Sequence, residues 1–248
     1  MGNSLAQSFT ATEQLLRREL AAAFRLAARY GWSDQLATHM SVRLPGAEPR
    51  YLINPYGLLF EEITASELVV VDAAGEPRSA ASRPVNKAGF VIHSAIHGAR
   101  EDAQCVVHLH TVAGSAVAAQ TCGLLPISPL AMYLSGRIGY HDFEGVTIVF
   151  GEQERIIANL GAHDALIFRN HGTLTVGRTV GEAFYRMYMV ERACQIQIAA
   201  QCGGPLVHPP AAVVDLVRGQ LDSFGDIAAL TWAALLRQLE KTDARYRD

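Results

Sequence analysis

Apolar residues recur at helical intervals over 12–30, where TEQLLRRELAAAFRLAARY sets Leu15, Leu16, Leu20, Phe24 and Leu26 largely on one side and Thr12 stands where a cap belongs. Gly31 ends that helix. The pattern then shortens to period two: HMSVRLPG and RYLINPYG are β-rich runs parted by Pro45 and Gly46, the form of a hairpin or meander. TASELVVVDAAGEPR adds a strand at 68–71 and an Ala-Gly turn before another short strand. A second helix is predicted over 87–99, because Phe90, Ile92, Ala95 and Ile96 can share its buried side. CVVHLH follows as a β-branched strand, then an Ala-rich helix over 113–121. Further strands are expected at 145–150, 165–168 and 174–176, with helices over 152–160 and 180–202. Pro205, Pro209 and Pro210 mark the approach to a C-terminal helical tail at about 210–240.

These strands and helices alternate without a fixed-period repeat or a Ser/Gly/Pro linker, so residues 1–248 are read as one α/β domain. Several strand pairs are joined by short turns, which favours a mixed, largely antiparallel sheet over a fully parallel one.

Composition narrows the function classes. Half the residues are hydrophobic and 18% are charged, as in a compact globular chain. With 21 basic against 24 acidic residues there is no cationic surplus to displace counterions from a nucleic-acid backbone, so DNA and RNA are not expected partners. No apolar run approaches the roughly 20 residues that cross a bilayer, and no signal-peptide pattern opens the chain, so a cytoplasmic location and no membrane partner are expected. Cys105, Cys122, Cys194 and Cys202 form no C-x-x-C pair and read as free thiols, Cys105 inside a strand.

The candidate chemistry is carried by histidine. Side chains two apart on a strand face the same way, so His108 and His110 in VVHLHT present two imidazoles about 7 Å apart at the backbone. That is a bidentate arm for a cation, or else two histidines on the wet face of an edge strand. His171 in RNHGTLTVG follows an apolar strand, and Gly172 beside it allows a tight turn. Three neutral imidazoles with an open position suit a catalytic ion, whereas a structural zinc site is closed by four protein ligands. His93 and His97 compete, since i and i+4 share a helix face, but no glutamate follows His93 to make H-E-x-x-H, and packing or supporting roles are the better reading. His39, His141, His163 and His208 are isolated. Trp32 and Trp232 read as packing residues and Glu61 and Glu62 as a solvated turn. Ser128 lacks the Gly-x-Ser-x-Gly elbow of a nucleophile.

INPYG, FEEITASELVVVD, VNKAGFVIHSAIHGARED, CVVHLHT, GLLPISPLA and RNHGTLTVG occur in an order that resembles the class II aldolase/adducin family over about 15–202, nearest its adducin-like branch. The resemblance implies an α/β/α sandwich around the mixed sheet. It also implies a fourfold homotetramer with sites near subunit boundaries, and one divalent ion per subunit (zinc, manganese or iron) on His108, His110 and His171. It makes 124–129 a pocket wall. In sugar-phosphate aldolases of the family a Ser-Ser-Glu segment carries the acid/base glutamate. Counted back from His93, that glutamate falls on Gly89, with Lys87 and Ala88 over the two serines, and the family's early Gly-Asn reads Thr38 and His39. Phosphorylated sugars are therefore disfavoured as substrates. Lys87 can hold a carboxylate as a point charge or be a solvated first-turn residue, and His39, Tyr133 and His141 are the candidate proton donors.

A triply ligated cation stabilises the enolate formed in retro-aldol cleavage or decarboxylation. Only the former needs a base for a hydroxyl proton, so the missing glutamate tilts the expectation toward decarboxylation or toward an aldol substrate with its base elsewhere. The expected activity is a metal-dependent carbon–carbon lyase acting on a small carboxylated or carbonyl compound. A non-haem iron oxygenase and a non-catalytic adducin-like interaction module stay open. The second is disfavoured by the three retained histidines and by the lack of the long tails adducins carry.

Overall fold

The structure, a computed structural model, describes residues 10–78, 83–145 and 151–248. In chain order the elements are α1 (Ala11–Arg29), β1 (His39–Leu44), β2 (Arg50–Ile53), β3 (Val69–Asp72), α2 (Lys87–Ala99), β4 (Cys105–Leu109), α3 (Val112–Ala118) and α4 (Pro129–Leu134). There follow β5 (Ile138–His141), α5 (Glu152–Leu160), β6 (Ala165–Phe168), β7 (Gly172–Gly177), α6 (Val180–Cys202), α7 (Ala211–Asp222) and α8 (Ile227–Thr242). Most of the predicted elements form, and α2 keeps its expected bounds because Asn86 caps it, its side-chain oxygen accepting from the Gly89 amide at 3.1 Å. The cap of α1 is Thr10 rather than Thr12: its hydroxyl accepts from the Glu13 amide at 3.2 Å. The strand expected at 145–150 falls on 146–150, outside the described residues. After the Ala-Gly turn, Pro77 makes a single bridge to Val71.

Among the described residues seven strands form one sheet in the order β3-β2-β1-β4-β7-β6-β5. Every neighbouring pair is antiparallel except β5 with β6. The mixed, largely antiparallel sheet is thus as expected, and helices cover both faces.

Alternation along β4 shows how the faces divide. Cys105, Val107 and Leu109 enter one core with α1, with Phe184 and Met187 of α6 and with Trp232 and Leu239 of α8. Val106 points the other way, into a core with Ile92 and Ile96 of α2 and Ile156 and Leu160 of α5. His108 shares that second face, so the site lies beneath α2 and α5. Fully burying one such Leu, Ile or Phe stabilises by about 1.5–3 kcal/mol, which makes both faces strong anchors for the strand between them. Trp232 packs over Gly181, where a Cβ would meet its Cγ at 2.4 Å, so α8 is keyed onto α6. Among the described residues no helix is long and apolar enough to cross a membrane.

Candidate metal centre

The central strand pair brings together residues far apart in sequence. β4 and β7 run antiparallel with Leu109 opposite Thr173, so the chain just past β4 lies beside the chain just before β7. Asn170, with φ 56°, makes the left-handed turn that delivers His171; asparagine tolerates this conformation because its short polar side chain bonds locally. The turn is therefore not the work of Gly172. A Cβ on that glycine would stand 2.5 Å from the Leu109 carbonyl oxygen and 2.8 Å from His110 Cδ2, so its bare backbone is what lets the two segments close.

The result is convergence of three Nε2 atoms. That of His110 lies 3.0 Å from His108 Nε2 and 2.8 Å from His171 Nε2. Proton positions follow from the outer nitrogens. His108 Nδ1–H donates to the Thr173 carbonyl at 3.1 Å, and His110 Nδ1–H donates to the Asp34 carboxylate at 3.1 Å. Neither acceptor can donate, so in neutral rings both Nε2 atoms carry lone pairs, and they point at one another. Two lone pairs 3.0 Å apart repel unless a cation lies between them. A tetrahedral ion with nitrogen ligands at about 2.0–2.1 Å would set them about 3.3 Å apart, close to what is seen. The donor set fits a divalent ion, and Asp34 and Thr173 supply the outer partners that ligating histidines require.

Burial keeps His108 and His171 neutral. His108 is held well below its ordinary value by burial and then by the charges of His39, His110, His171 and His93. His171 is lowered to about 4, by burial and then by His110. Neutral imidazole is the ligating form.

In front of the three rings opens a cavity of about 340 Å³, lined also by His39, Gly89, His141, Glu144, Glu152 and Phe168. That is the scale of a small molecule. His39 is buried, its ring 5.2 Å from that of His108. A Cβ on Gly89 would fall 2.1 Å from His39 Nε2, so the room a longer side chain would need at Gly89 is filled by His39. On the wall formed by β5, the Asn159 amide nitrogen donates to His141 Nδ1 at 2.9 Å. His141 Nε2 is buried without a hydrogen bond, with Glu152 at 3.6 Å and Glu144 at 3.8 Å.

The other expected site residues lie elsewhere. Lys87 is exposed and ion-paired with Glu76 at 2.6 Å, and it does not line the cavity. Tyr133 sits on α4 with the Arg137 guanidinium 4.5 Å from its ring centre, lining a separate cavity of about 180 Å³ beside α6. His93 and His97 are fully buried and bond Ser41 of β1 rather than joining the three rings. Ser128 caps α4, and Glu62 accepts from the Leu59 amide in an exposed turn. Asp34, Glu144 and Glu152 were not singled out in the sequence, where each reads as an ordinary loop or first-turn acid.

Comparison with known proteins agrees with this geometry. The family described as Class II Aldolase and Adducin N-terminal domain matches residues 18–198. A Pseudomonas aeruginosa protein whose name provisionally places it among class 2 aldolases is 43% identical over 244 residues, 96% of this chain and 94% of its own. Rat alpha-adducin is 48% identical over 198 residues, 78% of this chain but 27% of adducin. A crystal structure of an aldolase II superfamily protein from Pseudomonas syringae superposes with a TM-score of 0.93 at 47% identity, covering 97% of this chain and 98% of that one. L-fuculose 1-phosphate aldolase from Glaciozyma antarctica superposes with a TM-score of 0.83 at 29% identity, covering 97% and 96%.

Proposed function

Since the chain belongs to the class II aldolase and adducin family, we propose that it is a metal-dependent carbon–carbon lyase, an aldolase or decarboxylase, acting on a small carboxylated or carbonyl compound. The observation that carries this reading is the facing pair of Nε2 lone pairs on His108 and His110, with the third imidazole, His171, beside them. These rings would hold one divalent ion, zinc, manganese or iron. Once bound, that ion supplies Lewis acidity to a substrate oxygen and so stabilises an enolate.

The chain's own residues do the rest. Asp34 and the Thr173 carbonyl fix the ring orientations, and Phe168 with the α2 face keeps bulk water from one side of the cavity. His39 is the polar group placed to exchange a hydrogen bond with a bound molecule, and His141 stands in the cavity wall. Lys87 and Tyr133 have no part in the proposal, because neither lines this cavity. His39 fills the space above Gly89, so a sugar phosphate handled by a glutamate there, as the family resemblance implies for its aldolases, is not the proposed substrate.

A homotetramer with sites near subunit boundaries and a cytoplasmic location complete the reading. The side chain of Val112, two residues past His110, is 90% exposed and is the kind of apolar surface an interface would cover. The identity with alpha-adducin motivates one competing reading, a non-catalytic interaction module.

Elemental analysis and turnover separate the two. Protein purified without added metal should carry about one divalent ion per chain, chelation should abolish carbon dioxide or aldehyde release from a panel of keto, hydroxy and aromatic acids, and the ion should restore it. His108→Ala should lose the ion with the fold retained. Full turnover in verified metal-free protein, or unchanged metal content in His108→Ala, would dispose of the lyase.

A further inference from the structure

Behind His39 runs a buried line of polar groups that plays no part in holding the ion. His97 Nδ1 lies 2.7 Å from the Ala103 carbonyl, Ser41 Oγ lies 2.8 Å from His97 Nε2 and 2.5 Å from His93 Nδ1, and His93 Nε2 lies 2.7 Å from His39 Nδ1. All four side chains are at most 4% exposed.

The direction of every bond follows from one end. A carbonyl only accepts, so His97 carries its hydrogen on Nδ1 and has a lone pair on Nε2. Ser41 therefore donates to His97. Having a single hydrogen, the hydroxyl must accept from His93 Nδ1–H, which leaves a lone pair on His93 Nε2. His39 Nδ1–H donates to that lone pair, and His39 Nε2 is left bare. Full burial of the three rings, with the Arg43 guanidinium bonded to the His97 carbonyl at the far end, opposes an extra proton anywhere along the line.

Across the cavity the polarity is the reverse. The Asn159 amide donates to His141 Nδ1, so the hydrogen of that ring is on Nε2, which is buried with the Glu152 and Glu144 carboxylates 3.6 and 3.8 Å away.

We infer that the Ala103–His97–Ser41–His93 line fixes His39 as a hydrogen-bond acceptor in the cavity, and that the site selects compounds presenting a hydroxyl group, such as 2-hydroxy acids or hydroxy-carbonyl compounds, over 2-keto acids. A keto oxygen offers only lone pairs to the lone pair of His39, whereas a hydroxyl donates to it. This selection rests on the lyase reading, within which it favours a hydroxylated substrate of the aldol type.

Two measurements test it. Nitrogen-15 NMR of histidine-labelled protein, with the His39 signals assigned by their loss in His39→Gln, should show Nδ1 protonated and Nε2 bare at neutral pH. A hydrogen on His39 Nε2 would overturn the inference. In Ser41→Ala, which removes the hydroxyl that sets the polarity, the His39 signals should shift toward a mixture of tautomers; an unchanged spectrum in a folded variant would show that the line does not set the tautomer. Calorimetry on the zinc-loaded protein should find L-lactate bound about tenfold more tightly than pyruvate, the effect of one donor–acceptor match against one clash. Ser41→Ala should narrow that ratio. Equal affinities, a preference for pyruvate, or no binding of either acid would overturn the selection. The NMR result needs no bound ion, so a protein that retained no metal would defeat the lyase reading and leave the His39 assignment to stand or fall by itself.

Discussion

Acidification should unfold this protein well before its carboxylates titrate in bulk, because imidazoles are buried neutral. His39 and His97 are each lowered to about 3, both chiefly by burial; the charges of His110 and His171 then add to it for His39, and that of Arg43 for His97. In the unfolded chain both return to about 6.5. A group whose value is lower in the folded state contributes stability that is complete above the unfolded value and is lost as pH falls toward the folded one, here from 6.5 down to about 3. Each group then removes about 1.4 kcal/mol per pH unit. At pH 5, about 1.5 units below the unfolded value, the two together remove about 4 kcal/mol, and His93 acts in the same direction. Against a typical total of about 5–15 kcal/mol this is a large share. Urea unfolding followed by the fluorescence of Trp32, which is 4% exposed beside Tyr30 and Phe184, should be run from pH 7.5 to 4.5 with a chelator present so that ion release contributes nothing. The unfolding free energy should fall by about 4 kcal/mol or more between pH 7 and 5. A change below about 1 kcal/mol would refute the claim that these rings are buried uncharged.

Three substitutions probe the supports around the site. Asp34→Ala should weaken ion binding about 10- to 100-fold by releasing the His110 ring, with little loss of fold since Asp34 is exposed; competition against a chelator measures it, and unchanged affinity would remove Asp34 from the site. Gly172→Ala would put a methyl group 2.5 Å from the Leu109 carbonyl oxygen, so both ion affinity and melting temperature should drop. Gly139→Ala faces the Asn159 carbonyl oxygen at 2.1 Å and should destabilise by about 1–3 kcal/mol, visible in thermal unfolding; a wild-type melting temperature would contradict the close packing of α5 on β5.

The histidine trio was legible because each member sat in a recognisable run, but its convergence was not. His110 and His171 stand 61 residues apart, and only the β4–β7 register joins them. β5 escaped notice because IGYH is four residues long with a glycine inside, and that glycine is there for the approach of the Asn159 carbonyl rather than for any periodicity. α4 went unpredicted, with only the preceding 124–129 read as pocket wall, although Ser128 followed by Pro129 is a helix start: its hydroxyl accepts from the Ala131 amide. The tail splits into α7 and α8 at Gly225, whose φ of 75° no single helix accommodates. The line behind His39 was hidden for the same reason as the trio. His93 and His97 show helical spacing, but the pairing of Ser41 with Val106 and of His39 with His108 is a property of the sheet.

The middle of that sheet has a thermodynamic consequence of its own. Since the three rings meet only when β4 and β7 are paired in register, an ion gripping all three would bind the folded chain and ignore the unfolded one. Occupancy then adds to stability by mass action, about 2.7 kcal/mol when free ion is a hundredfold above its dissociation constant. The ion would thus be a rivet through the strands as well as a reagent, and cellular metal supply would set how long the protein survives in addition to how fast it turns over.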